Sequence, residues 1–89
     1  MKALRIVVHG YVQGVGFRSF ARHHARALNI KGYVKNMPDG TVLIVAEGDE
    51  KNLDLFLERI SRGPFMARVD RVETEEIPPM GFGGFTIEF

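Results

Sequence analysis

The chain is 89 residues long, which predicts a single domain over residues 1–89 with one hydrophobic core. Twelve Lys and Arg residues against eleven Asp and Glu residues leave a net charge of +1, so the composition favours neither nucleic acid nor a membrane surface as partner. The absence of cysteine excludes disulfides, thiol catalysis and thiolate metal sites, and without an apolar run long enough for a signal peptide or membrane span a cytoplasmic protein is expected.

Residues 3–9 predict the first strand. Leu4, Ile6 and Val8 alternate with residues that point to the other side, which is the period of a strand with one face in a core. A glycine-rich stretch follows, Gly-Tyr-Val-Gln-Gly-Val-Gly-Phe-Arg over residues 10–18. Its glycines allow positive φ angles and bring N–H groups to one side, and the next helix adds the free N–H groups of its first turn.

Arg18 lies near the start of that helix, and its planar guanidinium has donors for two oxygens of a phosphate group. The stretch is therefore suited to a small phosphate-like dianion. It lacks the Gly-Lys-Ser/Thr ending of a magnesium-nucleotide loop, and Ser19 stands where a dinucleotide-binding loop has its third glycine. The residues alone leave a second interpretation open, in which the glycines serve only the packing of a strand–turn–helix corner.

From Phe17 the apolar period becomes that of a helix, and Asn29 suits the left-handed position at its end. The apolar stripe consists of Phe17, Phe20, Ala21, His24, Ala25 and Leu28. Residues 30–37 and 41–47 predict the second and third strands. The turn Pro38-Asp39-Gly40 joins them as an antiparallel hairpin, because proline presets φ and glycine accepts φ > 0.

A second helix follows Asp49, a candidate N-cap, and stops at Gly63-Pro64. Its stripe consists of Leu53, Phe56, Leu57 and Ile60. Residues 69–76 predict a fourth strand, and alternation over residues 85–89 predicts a short terminal strand. Three phenylalanines near the end of the chain, Phe82, Phe85 and Phe89, are expected in the core.

The element order is β-α-β-β-α-β with one terminal strand added. Each helix has a single apolar stripe, so both helices cover one face of the sheet. The fold class is therefore α+β, a ferredoxin-like sandwich with an antiparallel sheet whose central strands are the first and the third.

Two segments together resemble the acylphosphatase family. The first, Gly10 to Arg18, has the family's form G-x-V-Q-G-V-G-F-R without departure. The second, Gly32 to Val42, has the form G-aromatic-V-x-N-x-x-D/N-G-x-V. The resemblance covers nearly the whole chain and agrees with the element order predicted from the residues.

The resemblance implies hydrolysis of acyl phosphates to a carboxylate and inorganic phosphate, with phosphate also a competitive inhibitor. It implies that Arg18 binds the phosphate group and that Asn36 positions the attacking water. The backbone N–H groups that would assist Arg18 are those of Gln13, Gly14, Val15, Gly16, Phe17 and Arg18. We expect no cofactor and no metal, and a monomer. The C-terminal carboxylate of Phe89 could pair with an arginine.

The histidines do not predict a metal site. His9 lies on a strand, and His23 and His24 are adjacent and so diverge around a helix. His24, on the core stripe, is expected to be a buried imidazole with a hydrogen-bond partner.

Three other functions can be compared with the same sequence. A non-catalytic sensor of a phosphorylated metabolite would use the same loop. An RNA-binding sheet is disfavoured, because the central runs 3–9 and 41–47 contain no aromatic residue. An acylphosphatase-like domain also occurs in larger carbamoyl-transfer proteins for hydrogenase maturation, but their additional domains are not in this chain, which favours a stand-alone enzyme.

Overall fold

The computed structural model describes residues 1–89, which form five strands and two helices. In chain order the elements are β1 (Lys2–Tyr11), α1 (Phe17–Ala27), β2 (Lys31–Asn36), β3 (Val42–Gly48), α2 (Glu50–Arg62), β4 (Arg68–Ile77) and β5 (Phe85–Glu88). This order confirms the predicted β-α-β-β-α-β succession with a terminal strand. The first strand is longer than predicted, so Gly10 and Tyr11 belong to β1. Residues 12–16 remain between β1 and α1 and are called the glycine loop below.

The sheet order is β4-β1-β3-β2-β5, which confirms the ferredoxin-like α+β fold and its two central strands. β1 pairs antiparallel with β3 and β4, and β2 pairs antiparallel with β3. β5 pairs parallel with β2, so the sheet is mixed, and only its first four strands are antiparallel. The orientation of β5 follows from the chain path, because residues 78–84 carry the chain from the β4 edge to the opposite edge.

The core lies between the helices and one face of the sheet. α1 buries Phe17, Ala21 and Ala25, and α2 buries Leu53, Phe56 and Ile60. The sheet contributes Ile6, Val8, Val34, Val42 and Ile44. Burial of each large apolar side chain is worth about 1.5–3 kcal/mol. These stripes are the ones predicted from the helical and strand periods.

β1 bends at Gly10, where its register against β4 shifts. The φ angle of Gly10 is +135°, and a Cβ atom there would lie 2.1 Å from the carbonyl oxygen of Arg68. Only glycine allows this close approach of two backbones. The bend directs the chain from the sheet into the glycine loop.

Glu47 anchors the segment that leads to β5. Its side chain is 1% exposed, and its carboxylate accepts the N–H groups of Met80 at 2.9 Å and Phe82 at 2.5 Å. The ring of Phe82 also packs against Tyr33, with centroids 5.9 Å apart. A buried carboxylate is tolerated here because charge-assisted hydrogen bonds replace its water.

The phenylalanines near the end of the chain differ from the prediction. Phe85 is buried, and Phe82 is half-buried. Phe89 is 95% exposed, so its predicted place in the core is wrong. The reason is that β5 ends at Glu88, and Phe89 lies beyond the part of the sheet that the helices cover.

The helix ends agree with the prediction in part. Asn29 has a φ angle of 56°, the left-handed conformation expected at the end of α1. Asp49 precedes α2 as predicted, but its side chain makes no capping hydrogen bond. Neither helix is both long enough and apolar enough to cross a bilayer.

Candidate active site

The glycine loop is fixed at both ends by buried side chains, Val12 at 1% exposure and Phe17 at 2%. Between them Gly14 and Gly16 have φ angles of 75° and 79°, in the left-handed region. A Cβ atom at either glycine would meet no atom within 4 Å, so backbone conformation and not space requires glycine here. Val15, the residue between them, packs against the core. The loop therefore has a defined shape.

The N–H groups of this loop have no partners within the chain. None of the backbone hydrogen bonds has a donor between residues 13 and 19, and the first, from Phe20 to the carbonyl oxygen of Gly16, is 3.0 Å long. Gly16 is the N-cap of α1 and has no side chain to satisfy the first turn. Unpaired N–H groups at a helix N-terminus, together with the positive end of the helix dipole, form a site for an anion.

Gln13 connects the loop to the β2–β3 hairpin. Its side-chain Nε2 donates to the carbonyl oxygens of Met37 at 2.7 Å and Thr41 at 2.9 Å. The backbone of the hairpin closes between the same two residues, since the Met37 N–H donates to the Thr41 carbonyl at 2.9 Å. Sequence reasoning assigned Gln13 only a backbone N–H and missed this side-chain bridge. A signal was present: Gln13 is the only long polar side chain in a loop of Gly and Val.

Arg18 stands in the first turn of α1 and is half-buried. No hydrogen bond or ion pair engages its guanidinium within the chain. Its Cζ atom lies 5.0 Å from the centroid of the Phe89 ring, which is cation–π distance. The ring of Phe89, and not its carboxylate, is the group that meets an arginine.

Asn36 is the last residue of β2, and it pairs with Val42 across the hairpin. Its side chain makes no hydrogen bond within the chain. The turn is stabilised instead by Asp39, whose Oδ1 accepts the Thr41 N–H at 3.0 Å and the Thr41 hydroxyl at 2.6 Å. These two bonds lower the pKa of Asp39 below its ordinary value. Asn36 is thus not needed to hold the turn, and its amide is free for another partner.

The sheet brings Arg18 and Asn36 to one corner of the molecule. In the parallel pairing of β2 with β5, Lys35 lies opposite Glu88. The next residues, Asn36 at the end of β2 and Phe89 just after β5, therefore lie at the same end of the two strands. Because Arg18 lies against the Phe89 ring, it is at this end as well. The glycine loop, which Gln13 ties to the hairpin, lies at this end as well.

The histidines lie elsewhere. His24 is half-buried between the helices, with its Nδ1 atom 3.2 Å from Nη1 of Arg59. Burial, and then the positive charge of Arg59, lower the pKa of His24 below 6.5. His9 contacts Glu73 at 2.5 Å on the other face of the sheet. No three His, Asp or Glu side chains come close enough to share a metal ion.

The two largest surface clefts do not include the glycine loop. One of about 350 Å³ opens between α1 and α2 and is lined by Phe20, His24, Arg59, Arg62 and Gly63. The other, of about 320 Å³, lies on the open face of the sheet beside Arg5 and Glu73. The unpaired N–H groups of the glycine loop therefore line neither cleft.

Known proteins share both the sequence and this architecture. The sequence profile of the acylphosphatase family matches residues 4–87. The acylphosphatase of Thermotoga maritima is 54% identical over 89 residues, which covers 100% of this chain and 99% of the relative. The crystal structure of acylphosphatase from Bacillus subtilis is similar with a TM-score of 0.97 and 39% identity, over 100% of both chains.

A larger protein contains a similar unit. The structure of full-length HypF in a phosphate- and nucleotide-bound form is similar over 99% of this chain, with a TM-score of 0.93 and 34% identity. The match covers 12% of that protein, so the unit also occurs as a small part of a longer chain. The family profile spans nearly all residues of this chain, and the acylphosphatases of Thermotoga maritima and Bacillus subtilis match it over 99–100% of their own length. The chain therefore belongs to the acylphosphatase family of hydrolases.

Proposed function

We propose that this protein hydrolyses the carboxyl–phosphate bond of acyl phosphates, with the glycine loop and Arg18 binding the phosphoryl group and Asn36 positioning water. The observation that carries the proposal is the run of unpaired N–H groups over residues 13–18, beside a guanidinium that no carboxylate occupies. Such an arrangement binds a dianion without a metal ion.

The chemistry needs little from the protein. A carboxyl–phosphate anhydride already has a stable leaving group, so neither a strong nucleophile nor a covalent intermediate is required. Water attacks phosphorus as the bond to the acyl oxygen breaks, and the carboxylate leaves with the bonding electrons. Catalysis then consists of holding the phosphoryl group, stabilising charge on its oxygens and placing the water in line with the leaving group.

The phosphoryl oxygens are assigned to the loop and to Arg18. N–H donors that are already oriented stabilise charge in the transition state without reorganisation. The guanidinium adds two parallel donors with full positive charge. The fold fixes both groups of donors. The glycine loop and the start of α1 orient the N–H groups, and the first turn of α1 carries Arg18.

Asn36 is assigned to the water. Its amide is free of the hairpin, whose turn uses Asp39 instead. Asn36 is neutral and cannot take a proton, so we assign the proton of the attacking water to a non-bridging phosphoryl oxygen of the substrate. Inorganic phosphate and the carboxylate are then the products. Because phosphate fits the same donors, it should inhibit competitively.

The acyl part of the substrate is expected to face solvent. Neither surface cleft includes a residue of the glycine loop, so no enclosed pocket surrounds the group attached to the phosphate. The proposal therefore predicts recognition of the phosphoryl group and tolerance of different acyl groups.

The test is hydrolysis of benzoyl phosphate in the presence of EDTA by the parent protein and by Asn36→Ala. Asn52→Ala, on α2, is the matched control for loss of an amide. Chelator-resistant turnover that collapses only in Asn36→Ala supports the proposal. No turnover in the parent, with phosphate still bound in competition with benzoyl phosphate, would show a phosphate sensor and exclude the catalytic role.

A further inference from the structure

Phe89 is an exposed aromatic residue at the candidate active site. Its side chain is 95% exposed, although leaving an aromatic ring in water is unfavourable. The guanidinium of Arg18 lies over this ring, 5.0 Å from Cζ to the centroid. The position of the ring is therefore explained by Arg18 and not by the core.

The contact between Arg18 and Phe89 differs from the ion pair with a carboxylate that commonly orients an arginine. Six ion pairs occur in the chain, and none of them includes Arg18. A carboxylate partner would orient Arg18 but would occupy its N–H donors and repel an incoming phosphate. An aromatic ring contacts the flat face of the guanidinium and leaves the donors at its edge free.

The fold holds Phe89 in place through β5. Phe85 is buried at 2% exposure, and β5 pairs with β2 in register up to Lys35 and Glu88. The segment before β5 is anchored by the buried carboxylate of Glu47. The ring thus lies one residue beyond a well-anchored strand.

We propose that Phe89 is a positioning residue, whose ring orients the Arg18 guanidinium toward the phosphoryl group while leaving its donors free. The proposal rests on the proposed function for its catalytic consequence, since Arg18 is there the side chain that binds phosphate. Its binding consequence can be measured with inorganic phosphate alone.

Three substitutions distinguish the effect of the aromatic ring from the effect of an apolar side chain of similar size. Phe89→Ala removes the ring, Phe89→Leu keeps an apolar side chain without a π face, and Phe89→Tyr keeps the ring. An exposed cation–π contact corresponds to a change of about 2–5-fold in binding. We expect phosphate to bind about 2–5-fold more weakly to the Ala and Leu variants, with KM for benzoyl phosphate raised similarly, and Tyr to restore both. Melting temperatures should not move, because the ring is almost fully exposed.

Phe65→Ala is the matched control, because Phe65 is 98% exposed and lies in the connection between α2 and β4. It should leave phosphate affinity unchanged. Equal phosphate affinity in parent, Phe89→Ala and Phe89→Tyr would overturn the proposal, and so would a Leu variant that matches Tyr. If the parent fails to hydrolyse benzoyl phosphate but Phe89→Ala still weakens phosphate binding, the positioning role stands and the proposed enzymatic function fails.

Discussion

The side-chain amide of Gln13 donates a 2.7 Å hydrogen bond to the carbonyl oxygen of Met37, the residue that follows Asn36. A second bond, to the Thr41 carbonyl, closes a bridge across the base of the hairpin. The glycine loop and the β2–β3 hairpin are thereby held together, although 24 residues separate Gln13 from Met37. The bridge therefore ties the proposed phosphate site to the hairpin that carries the proposed water-positioning residue.

Removing the bridge should reduce both fold stability and turnover. Gln13→Ala deletes two hydrogen bonds and should cost about 1–3 kcal/mol of unfolding free energy. Loss of alignment between loop and hairpin should lower kcat about 10- to 100-fold, because sub-ångström placement matters in such sites. Gln13→Glu should not rescue, since a carboxylate cannot donate to two carbonyl oxygens. Urea unfolding and benzoyl phosphate kinetics measure the two effects, and a parental kcat in Gln13→Ala would contradict the role.

Arg18→Gln should nearly abolish turnover. Loss of a transition-state donor typically lowers kcat about 10²–10³-fold, and the charge is lost as well. Arg18→Lys should also fail substantially, because an ammonium group lacks the planar pair of donors. Arg62→Gln is the control, since Arg62 is exposed and pairs only with Glu58 on its own helix. Steady-state kinetics and phosphate inhibition are the measurements, and comparable loss in both variants would point to net charge instead of the site.

Asn36→Ala should separate binding from chemistry. The competitive inhibition constant of phosphate should stay near that of the parent, because the loop and Arg18 are intact. Turnover should fall by about 10²-fold or more if the amide places the attacking water. Phosphate titration and single-turnover hydrolysis are the measurements, and full activity in this variant would remove Asn36 from the mechanism.

Glu47→Gln should destabilise the fold. In Glu47 each carboxylate oxygen accepts one backbone N–H group. The glutamine amide is neutral and has an NH2 donor in place of one oxygen, so at least one charge-assisted hydrogen bond is lost. The expected cost is about 1.5–3 kcal/mol. For a chain of this size that corresponds to roughly 6–24 °C in melting temperature. Glu76→Gln, exposed on β4, is the control and should melt like the parent. An unchanged melting temperature in Glu47→Gln would show that the anchor is dispensable.

His24 predicts how stability changes with pH. Its pKa is lowered in the folded protein, first by burial and then by Arg59, while the unfolded chain keeps about 6.5. The unfolded state therefore binds protons first, so this contribution to stability is present above pH 6.5 and is lost as pH falls below it. The difference in unfolding free energy between parent and His24→Gln should shrink or reverse from pH 7 to pH 5. A difference that is constant over this range would contradict the shift.

Activity should not share that dependence. The proposed mechanism has no histidine as general base, so the pH–rate profile should show no break near pH 6.5 that disappears in a His9, His23 or His24 variant. Such a break would identify a histidine in the reaction and overturn proton transfer to the substrate. Rates and unfolding curves measured on the same samples separate loss of catalysis from loss of fold.

Local pattern determined most of the elements. The helical spacing of apolar residues predicts which face of each helix packs against the core. The predicted residues are buried in both helices: Phe17, Ala21 and Ala25 in α1, and Leu53, Phe56 and Ile60 in α2. The positive φ angles of the glycine loop likewise follow from residue type. The residues themselves indicated that Arg18 suits a phosphate group, the motif resemblance gave Asn36 its role, and both roles stay predictions.

Only the tertiary structure decided the contacts that assemble the corner. Phe85 and Phe89 have the same alternating pattern, yet one is buried and the other exposed, because the end of β5 and not its period sets the boundary of the core. The sequence alone determined the fold class, through the order and periods of its elements, and the loop conformation, through its glycines. Both depend on residues that are near one another in the chain. The parallel pairing of β5, the Gln13 bridge, the Glu47 anchor and the Arg18–Phe89 contact join residues 24 to 71 positions apart, whose meeting depends on the path of the whole chain.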